Sequence, residues 1–315
     1  MADVSGAVVF GLLGPVQVLT ASGASLIREP RCRAVLVALL LEAGRTLPVP
    51  RLATLVWGQD IPPSARKAIQ VYVSRLRVLL AGVPGAALVT EPDGYRLRGD
   101  PESVDIHVFR RLVRQARRHG APHRRVEVLR EALSLWRGTA CADTGPGGLR
   151  DWVAPMIEEE RLAALEHLYE AELAGGDNHG VLAPLTAVAA EHPLRERLIG
   201  LLMVAQHRCG QTAAAASTFR TLRRRLICET GLEPGPDLAA LHRQILTGTT
   251  DPFAQLFSGN ASPLLDRADS LLLDGDHDRA LALYHAARAL AHDSGDTAAS
   301  TRATLALRSV APGPS

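Results

Sequence analysis

The residues best suited to chemistry form a basic stretch between Pro63 and Gly82, with the sequence SARKAIQVYVSRLRVLL. It carries four basic side chains and no acidic one. Apolar residues recur in it at helical spacing, which predicts a helix of about four turns, capped at its start by Ser64 and ended near Gly82. The predicted buried stripe consists of Ile69, Val73, Leu76 and Leu80. Taken alone, the stretch is compatible with a solvated surface helix or with a helix that binds nucleic acid.

The outward face of this helix would supply the contacts to DNA. Arg75 and Val71 lie at the middle of the face. An arginine can donate to guanine O6 and N7 together, and a valine can pack on a thymine methyl group, so these two are the predicted base contacts. A solvated face would more often mix acidic with basic residues. The predicted phosphate contacts lie on this helix and near the start of the first predicted helix, and they are Lys67, Tyr72, Ser74, Arg77, Arg31 and Arg33.

Upstream of the basic helix, the sequence predicts strands followed by two helices. Short apolar or alternating runs, separated by Gly14-Pro15 and Gly23, predict strands at residues 7–12, 16–19 and 25–27. Apolar-faced runs that end at glycines predict helices at residues 31–43 and 50–57. The basic helix is therefore the third of three.

Downstream of the basic helix, the sequence predicts a hairpin. Residues 87–91 and 95–98 flank Pro92-Asp93-Gly94, and a three-residue loop ending in glycine suits a hairpin that needs one left-handed position. Strands, three helices and a hairpin, in this order, are typical of a winged helix, in which the third helix reads DNA. Tyr95 and Arg96 are the predicted wing contacts, to the DNA backbone or the minor groove.

Several motifs resemble one family of regulators. The winged-helix domain of the SARP family, the Streptomyces antibiotic regulatory proteins, is of the OmpR/PhoB type. It resembles LATLVWG at residues 52–58, ARKAIQVYVSRLRVLL at 65–80 and VTEPDGYRL at 89–97. The bacterial transcriptional activation domain that follows it in the family resembles ALSLWRG at 132–138, AEHPLRERL at 190–198 and ETGLEPGPDL at 229–238. The resemblance covers about residues 7–247.

The resemblance implies a function and a set of partners. It implies a sequence-specific transcriptional activator, specific for a secondary-metabolite pathway, that acts in the cytoplasm on the nucleoid. The implied partners are double-stranded promoter DNA with direct repeats, further copies of this chain on the DNA, and the sigma or alpha subunit of RNA polymerase. Aligned with the family's recognition helix, Arg75 and Val71 fall at base-reading positions.

The second half of the sequence predicts a helical bundle. Gly176 and Gly210 are 34 residues apart, which is the tetratricopeptide period. After Gly210, Ala215 and Phe219 supply a small residue and an aromatic of the kind that lets paired helices pack closely. The predicted fold is mainly α with a small β component, a winged helix-turn-helix followed by a tetratricopeptide-like bundle. The predicted segments are residues 1–100, 101–247, a linker at 248–262, and a final helical pair with a disordered end at 263–315.

Charge and absent motifs narrow the function further. The net charge is +2 overall, but residues 1–98 carry eleven Arg or Lys against six Asp or Glu, so they would face phosphate. No GxxxxGK[ST], HExxH or GxSxG motif occurs, so the sequence predicts no cofactor, no metal and no enzymatic activity. The four cysteines form no CxxC pair and are interpreted as reduced thiols. No apolar run is long enough to predict a membrane span.

One alternative from another class stays open on the residues alone. A tetratricopeptide-like adaptor could bind proteins through both domains and bind no specific DNA. The acid-free basic helix followed by a tyrosine-containing wing favours the DNA-binding activator over this adaptor.

Overall fold

The computed structural model describes residues 8–20, 23–25, 27–119 and 121–248, with single positions at 283–285, 287, 288, 303, 304 and 307. It divides into two compact units, one up to residue 168 and one from residue 169 onward. Apart from these single positions and Gly248, the predicted linker and final helical pair lie outside the described residues. The predicted fold class, mainly helical with a small β component, is confirmed.

The first unit begins with short strands and three helices, as a winged helix does. The elements are β1 (Phe10–Gly11), β2 (Gln17–Thr20), β3 (Gly23–Ser25), α1 (Pro30–Leu41), β4 (Leu47–Pro48), α2 (Val49–Trp57), α3 (Ala65–Leu80), β5 (Ala87–Glu91) and β6 (Gly94–Arg98). They form two antiparallel sheets, with the strand orders β1-β2-β3 and β4-β6-β5. In the second sheet β5 and β6 form the predicted hairpin, in the register Val89 opposite Arg96.

The core of this region explains why α3 can expose a basic face. α1 is almost wholly apolar, with Leu36 and Leu39 buried, and α3 packs on it. The predicted stripe of α3 is confirmed, since its four members, Ile69, Val73, Leu76 and Leu80, are all buried. Burying one such side chain contributes roughly 1.5–3 kcal/mol, so the stripe fixes which side of α3 faces outward.

The first predicted strand is shorter than expected for a reason that lies far along the chain. Leu12 and Leu13 donate their backbone N–H groups to the Asp105 carboxylate, at 2.8 and 3.0 Å, instead of continuing β1. β3 was predicted at residues 25–27 but pairs with β2 over Gly23–Ser25. Both differences come from partners that local periodicity does not reveal.

Two local predictions, one about the cap of α3 and one about the hairpin turn, are wrong. Ser64 occupies the N-cap position of α3, but its side chain makes no capping hydrogen bond. The hairpin turn contains two residues, Pro92 and Asp93, and Gly94 already belongs to β6, where it pairs with Glu91. Gly94 is not left-handed. It is glycine because a Cβ there would lie 2.0 Å from the carbonyl oxygen of Leu47 in β4, and that neighbour is not visible in the hairpin sequence.

The first unit continues into the helical half of the chain. A 3₁₀ turn (Pro101–Ser103) leads to α4 (Asp105–Arg118) and α5 (Pro122–Ser134), and a π-helical turn (Leu149–Val153) precedes α6 (Ala154–Ala174). Arg137 donates its backbone N–H to Leu13 O at 2.7 Å, and its guanidinium lies 3.3 Å from Asp105. Residues 104–141 are therefore hydrogen-bonded to the start of the chain, and one buried core runs through both parts.

The second unit is a bundle of helix pairs. It begins within α6, at Tyr169, and also contains α7 (Leu182–Glu191), α8 (Glu196–Arg208), α9 (Thr212–Thr230) and α10 (Pro236–Thr247). Ala215 and Phe219 are buried where α9 packs on its neighbours, and Phe219 stacks on His242 of α10 with the ring centroids 4.0 Å apart. The positions chosen from the 34-residue spacing are thus core positions. Among the described helices, none is long and apolar enough to cross a membrane.

Candidate nucleic-acid interface

The outward face of α3 presents a continuous row of exposed side chains. Lys67, Val71, Ser74 and Arg75 are all exposed, as the helical spacing predicts, and Val71 keeps 44% of its surface accessible despite being apolar. An exposed β-branched residue among basic and hydroxyl groups has the composition that major-groove contacts require, with an apolar group for a thymine methyl and donors for phosphates.

Arg75 stands at the middle of this face and is held by an acid from another element. Its guanidinium forms an ion pair with Glu29, the residue immediately before α1. Both side chains remain largely in contact with solvent, with 59% of Arg75 and 42% of Glu29 exposed. Arg75 therefore has donors left over for another partner, because one guanidinium carries five N–H groups.

Tyr72 lies on the buried side of α3, which departs from its predicted place beside the outward face. It is 7% exposed, and its ring stacks on Trp57 of α2 with the centroids 6.5 Å apart. Burial raises the pKa of the phenol, and the neighbouring Glu29 carboxylate raises it further. The sequence held a signal for this, since Tyr72 is three residues after Ile69 and four before Leu76 on the buried stripe.

Arg31 and Arg33, both predicted phosphate contacts from α1, lie in different environments. Arg31 is exposed, with its guanidinium carbon 5.6 Å from the centre of the Trp57 ring. Arg33 points into the fold, where it donates to the backbone oxygen of Asp143 at 2.7 Å and pairs with that carboxylate at 3.2 Å. The placement of Arg33 gives no support to a phosphate contact, because its guanidinium already bridges two distant segments.

Arg77 connects α3 to the wing. Its Nε donates to the backbone oxygen of Leu88 at 3.0 Å, and its Nη2 donates to the hydroxyl of Thr90 at 2.6 Å. Arg77 is still exposed and can meet a phosphate, but it also fixes the wing relative to α3. The pattern within α3 does not predict this second role, since the two partners are 11 and 13 residues away.

The wing residues are more enclosed than predicted. Tyr95 is 8% exposed and pairs with Leu47 of β4 and Thr90 of β5, so its side chain belongs to the core. Arg96 forms an ion pair with Glu91 across the hairpin. The tip of the wing is Pro92 and Asp93, which offers no cation for the minor groove. Contacts from Tyr95 and Arg96 to DNA stay predictions, and neither placement favours them.

Two further observations concern possible metal ligands and thiols among the described residues. Among them, no group of three or more His, Cys, Asp or Glu could hold a metal ion. Burial raises the pKa of the Cys32 thiol to about 11 and that of Cys141 to about 12, so both stay protonated and poorly nucleophilic near neutral pH.

Replacing Lys67 by Ala is expected to weaken binding to any DNA sequence by a similar factor. The ammonium group is a point charge at the exposed start of α3, where it can neutralise a phosphate and release a counterion. The slope of log K against log salt concentration should fall by about 0.9. Fluorescence anisotropy over a range of KCl concentrations measures it. An Arg118→Ala variant removes one charge from an exposed position on α4 and should leave the slope unchanged; an unchanged slope for Lys67→Ala would contradict the assignment.

Both halves of the chain match known protein families. A family model described as "Transcriptional regulatory protein, C terminal" matches residues 23–97, and one described as "Bacterial transcriptional activator domain" matches residues 104–246. The transcriptional regulator RedD of Streptomyces coelicolor is 37% identical over 248 residues, which cover 76% of this chain and 71% of RedD. The regulatory protein AfsR of Streptomyces griseus is 37% identical over 240 residues, 75% of this chain but 24% of AfsR.

A solved structure agrees with these sequence relatives. The structure of Mycobacterium tuberculosis EmbR in complex with a low affinity phosphopeptide is similar to this chain, with a TM-score of 0.72 and 32% sequence identity. The similarity covers 82% of this chain and 71% of that one. It therefore includes residues of both halves.

Proposed function

Since the chain belongs to the SARP family of transcriptional regulators, we propose that it activates transcription by binding promoter DNA through α3. Proteins of this family are regulators and not enzymes. The target is a gene cluster for a secondary metabolite. The observation that carries the proposal is the outward face of α3, which is free of acidic residues, exposes Arg75 and Val71 at its middle, and is held rigidly by a buried stripe on the other side.

The contacts divide between reading bases and holding phosphates. Arg75 and Val71 contact bases, and Lys67 and Ser74 contact the backbone beside them. Arg31 and Arg77 add phosphate contacts from the flanks, whereas Tyr72 and Arg33 support the interface from inside the fold. Reassigning Tyr72 and Arg33 in this way does not affect the proposed base-reading pair, because Tyr72 is buried and Arg33 is paired with Asp143, so neither lies on the outward face of α3.

The helical half supplies contacts between proteins. Residues 104–247 bind a neighbouring protomer on the DNA and help to recruit RNA polymerase through its sigma or alpha subunit. Linked binding of this kind raises occupancy without adding base contacts. The near-neutral helical half suits this task better than DNA binding, since the residues after 98 carry a net charge of −3, the difference between +2 overall and +5 for residues 1–98.

Footprinting on the DNA upstream of neighbouring genes is expected to reveal two protected half-sites in tandem orientation. A single winged helix contacts too few base pairs for high specificity, so two protomers side by side are needed. Half-sites centred about 10–11 base pairs apart would place both protomers on one face of the duplex. A gel shift with the same fragment and a scrambled one gives the specificity, and run-off transcription tests activation. An inverted repeat, or equal affinity for both fragments, would overturn the proposal.

A further inference from the structure

Glu29 places a carboxylate beside the basic face of α3. It belongs to the segment that precedes α1, and it occupies the N-cap position without making a capping hydrogen bond to the helix. Its carboxylate instead pairs with the guanidinium of Arg75 and lies near Tyr72, both residues of α3. A negative charge next to a surface that binds phosphates weakens the affinity for DNA. The position of Glu29 therefore calls for an explanation other than general DNA affinity.

Glu29 has a buried tyrosine of α3 as its neighbour. The Tyr72 ring is buried and stacked on Trp57, so its hydroxyl cannot move far. Glu29 is close enough to this phenol to raise its pKa, and it accepts a hydrogen bond from Arg75. Trp57, Tyr72, Glu29 and Arg75 are thus neighbouring side chains that lead from the core at α2 to the middle of the proposed DNA-facing surface.

Arg75 could bind either a guanine base or a phosphate of DNA, and the nearby Glu29 carboxylate affects these two contacts differently. Guanine O6 and N7 are neutral acceptors in the groove. They can accept from N–H groups of Arg75 that do not bind Glu29, so the ion pair between Arg75 and Glu29 is preserved. A phosphate is an anion, and drawing Arg75 to it would bring a second negative charge toward the Glu29 carboxylate or break the ion pair. Like charges at such distances repel, so the phosphate contact is disfavoured.

We infer that Glu29 is a specificity-determining positioning residue, which holds Arg75 toward guanine and away from the phosphates of unrelated DNA. The inference rests on the proposed function and adds to it a residue outside the recognition helix. Glu29 lowers affinity for non-specific sequences more than affinity for the promoter site. The ion pair between Glu29 and Arg75 is exposed, and exposed ion pairs contribute little to the free energy of unfolding. We therefore expect substitutions of Glu29 to change DNA affinity and not stability.

The test compares the full chain with Glu29→Gln, Arg75→Ala and the double variant on the promoter fragment and a scrambled duplex. Glutamine keeps the length of the side chain and an acceptor oxygen but removes the charge. Glu29→Gln is expected to tighten binding to the scrambled duplex by about fivefold and to the promoter by less than about twofold, so the ratio of the two affinities falls. In the Arg75→Ala background the same substitution should change both affinities by one common factor.

Two controls separate this effect from a general change of charge or of fold. Glu42→Gln removes one negative charge from a residue that lies near Arg45 and Arg51, and it should change affinity for both duplexes equally. The thermal midpoint of Glu29→Gln should match that of the unaltered chain. Replacing the guanine that Arg75 contacts should cost the unaltered chain more than it costs Glu29→Gln.

The outcomes distinguish the inference from the function on which it rests. If the unaltered chain binds promoter and scrambled DNA equally, the proposed function fails and the inference fails with it. If the unaltered chain prefers the promoter and Glu29→Gln keeps the same ratio of affinities, the inference alone is overturned. An equal reduction of that ratio in the Arg75→Ala background would also overturn it, because Glu29 would then act without Arg75.

Discussion

An Asp105→Ala variant is expected to lose about 2–5 kcal/mol of unfolding free energy in the first compact unit. Asp105 is 2% exposed, and its carboxylate accepts the N–H groups of Leu12 and Leu13 and pairs with Arg137. Alanine would leave two buried N–H groups without their acceptor and would remove the ionic partner of Arg137, whose guanidinium keeps only its hydrogen bond to the backbone oxygen of Pro15. Urea denaturation followed by tryptophan fluorescence measures the loss, since Trp57, Trp136 and Trp152 all belong to this unit.

Two matched variants make this result interpretable. Asp105→Asn keeps an acceptor oxygen but turns an N–H group toward existing donors, so its loss should be intermediate. Asp60→Ala removes an exposed carboxylate from the same unit and should change the unfolding free energy by less than about 0.5 kcal/mol. If Asp105→Ala changed the unfolding free energy by no more than this amount, the carboxylate would not be holding α4 to the segment that contains Leu12 and Leu13.

The role of Asp105 bears on how the chain divides. The two family matches leave residues 98–103 between them, and the domain boundary predicted from the sequence lies at residue 100. The first compact unit nevertheless extends to residue 168, and Asp105 is the first residue of α4. A protein cut after residue 102 would therefore lack the acceptor for Leu12 and Leu13. We expect it to be less stable than a protein cut after residue 248.

Sequence periodicity predicts those features of the interface that one helix determines by itself. The bounds of α3, its buried stripe and the exposure of Lys67, Val71 and Arg75 follow from apolar residues at helical spacing. The order of strands, helices and hairpin follows in the same way from local patterns. The motifs that resemble the SARP family added the function, which periodicity cannot supply.

The features that were missed depend on partners far along the chain. Arg33 is bound by Asp143, 110 residues away, and Arg75 by Glu29, 46 residues away. Gly94 is required by the approach of β4, and no pattern within the hairpin contains that strand. Basic residues near a recognition helix are therefore weak predictors of phosphate contacts, because the same guanidinium group can equally well stabilise the fold.

Replacing Arg75 by Ala is expected to weaken binding to the promoter site by about 1–3 kcal/mol and to relax the sequence preference at one base pair. Under the proposed base contact, the variant loses two hydrogen bonds to guanine. It also leaves the Glu29 carboxylate without its arginine partner on the surface proposed to face DNA, and this adds to the expected loss. Titrations on the promoter fragment and on a scrambled duplex give both affinities, and single base-pair substitutions locate the relaxed position.

The conservative variant Arg75→Lys decides between a base contact and a phosphate contact. Lysine keeps the positive charge but cannot present two parallel N–H groups to guanine O6 and N7. If Arg75 reads guanine, Arg75→Lys should keep the affinity for scrambled DNA and lose much of the preference for the promoter. If Arg75 contacts only a phosphate, Arg75→Lys should behave like the unaltered chain, and Arg75→Ala should weaken binding to both duplexes by the same factor. An Arg118→Ala variant, altered at an exposed position of α4, supplies the baseline, because it removes one arginine from outside α3 and the wing and should preserve the preference for the promoter.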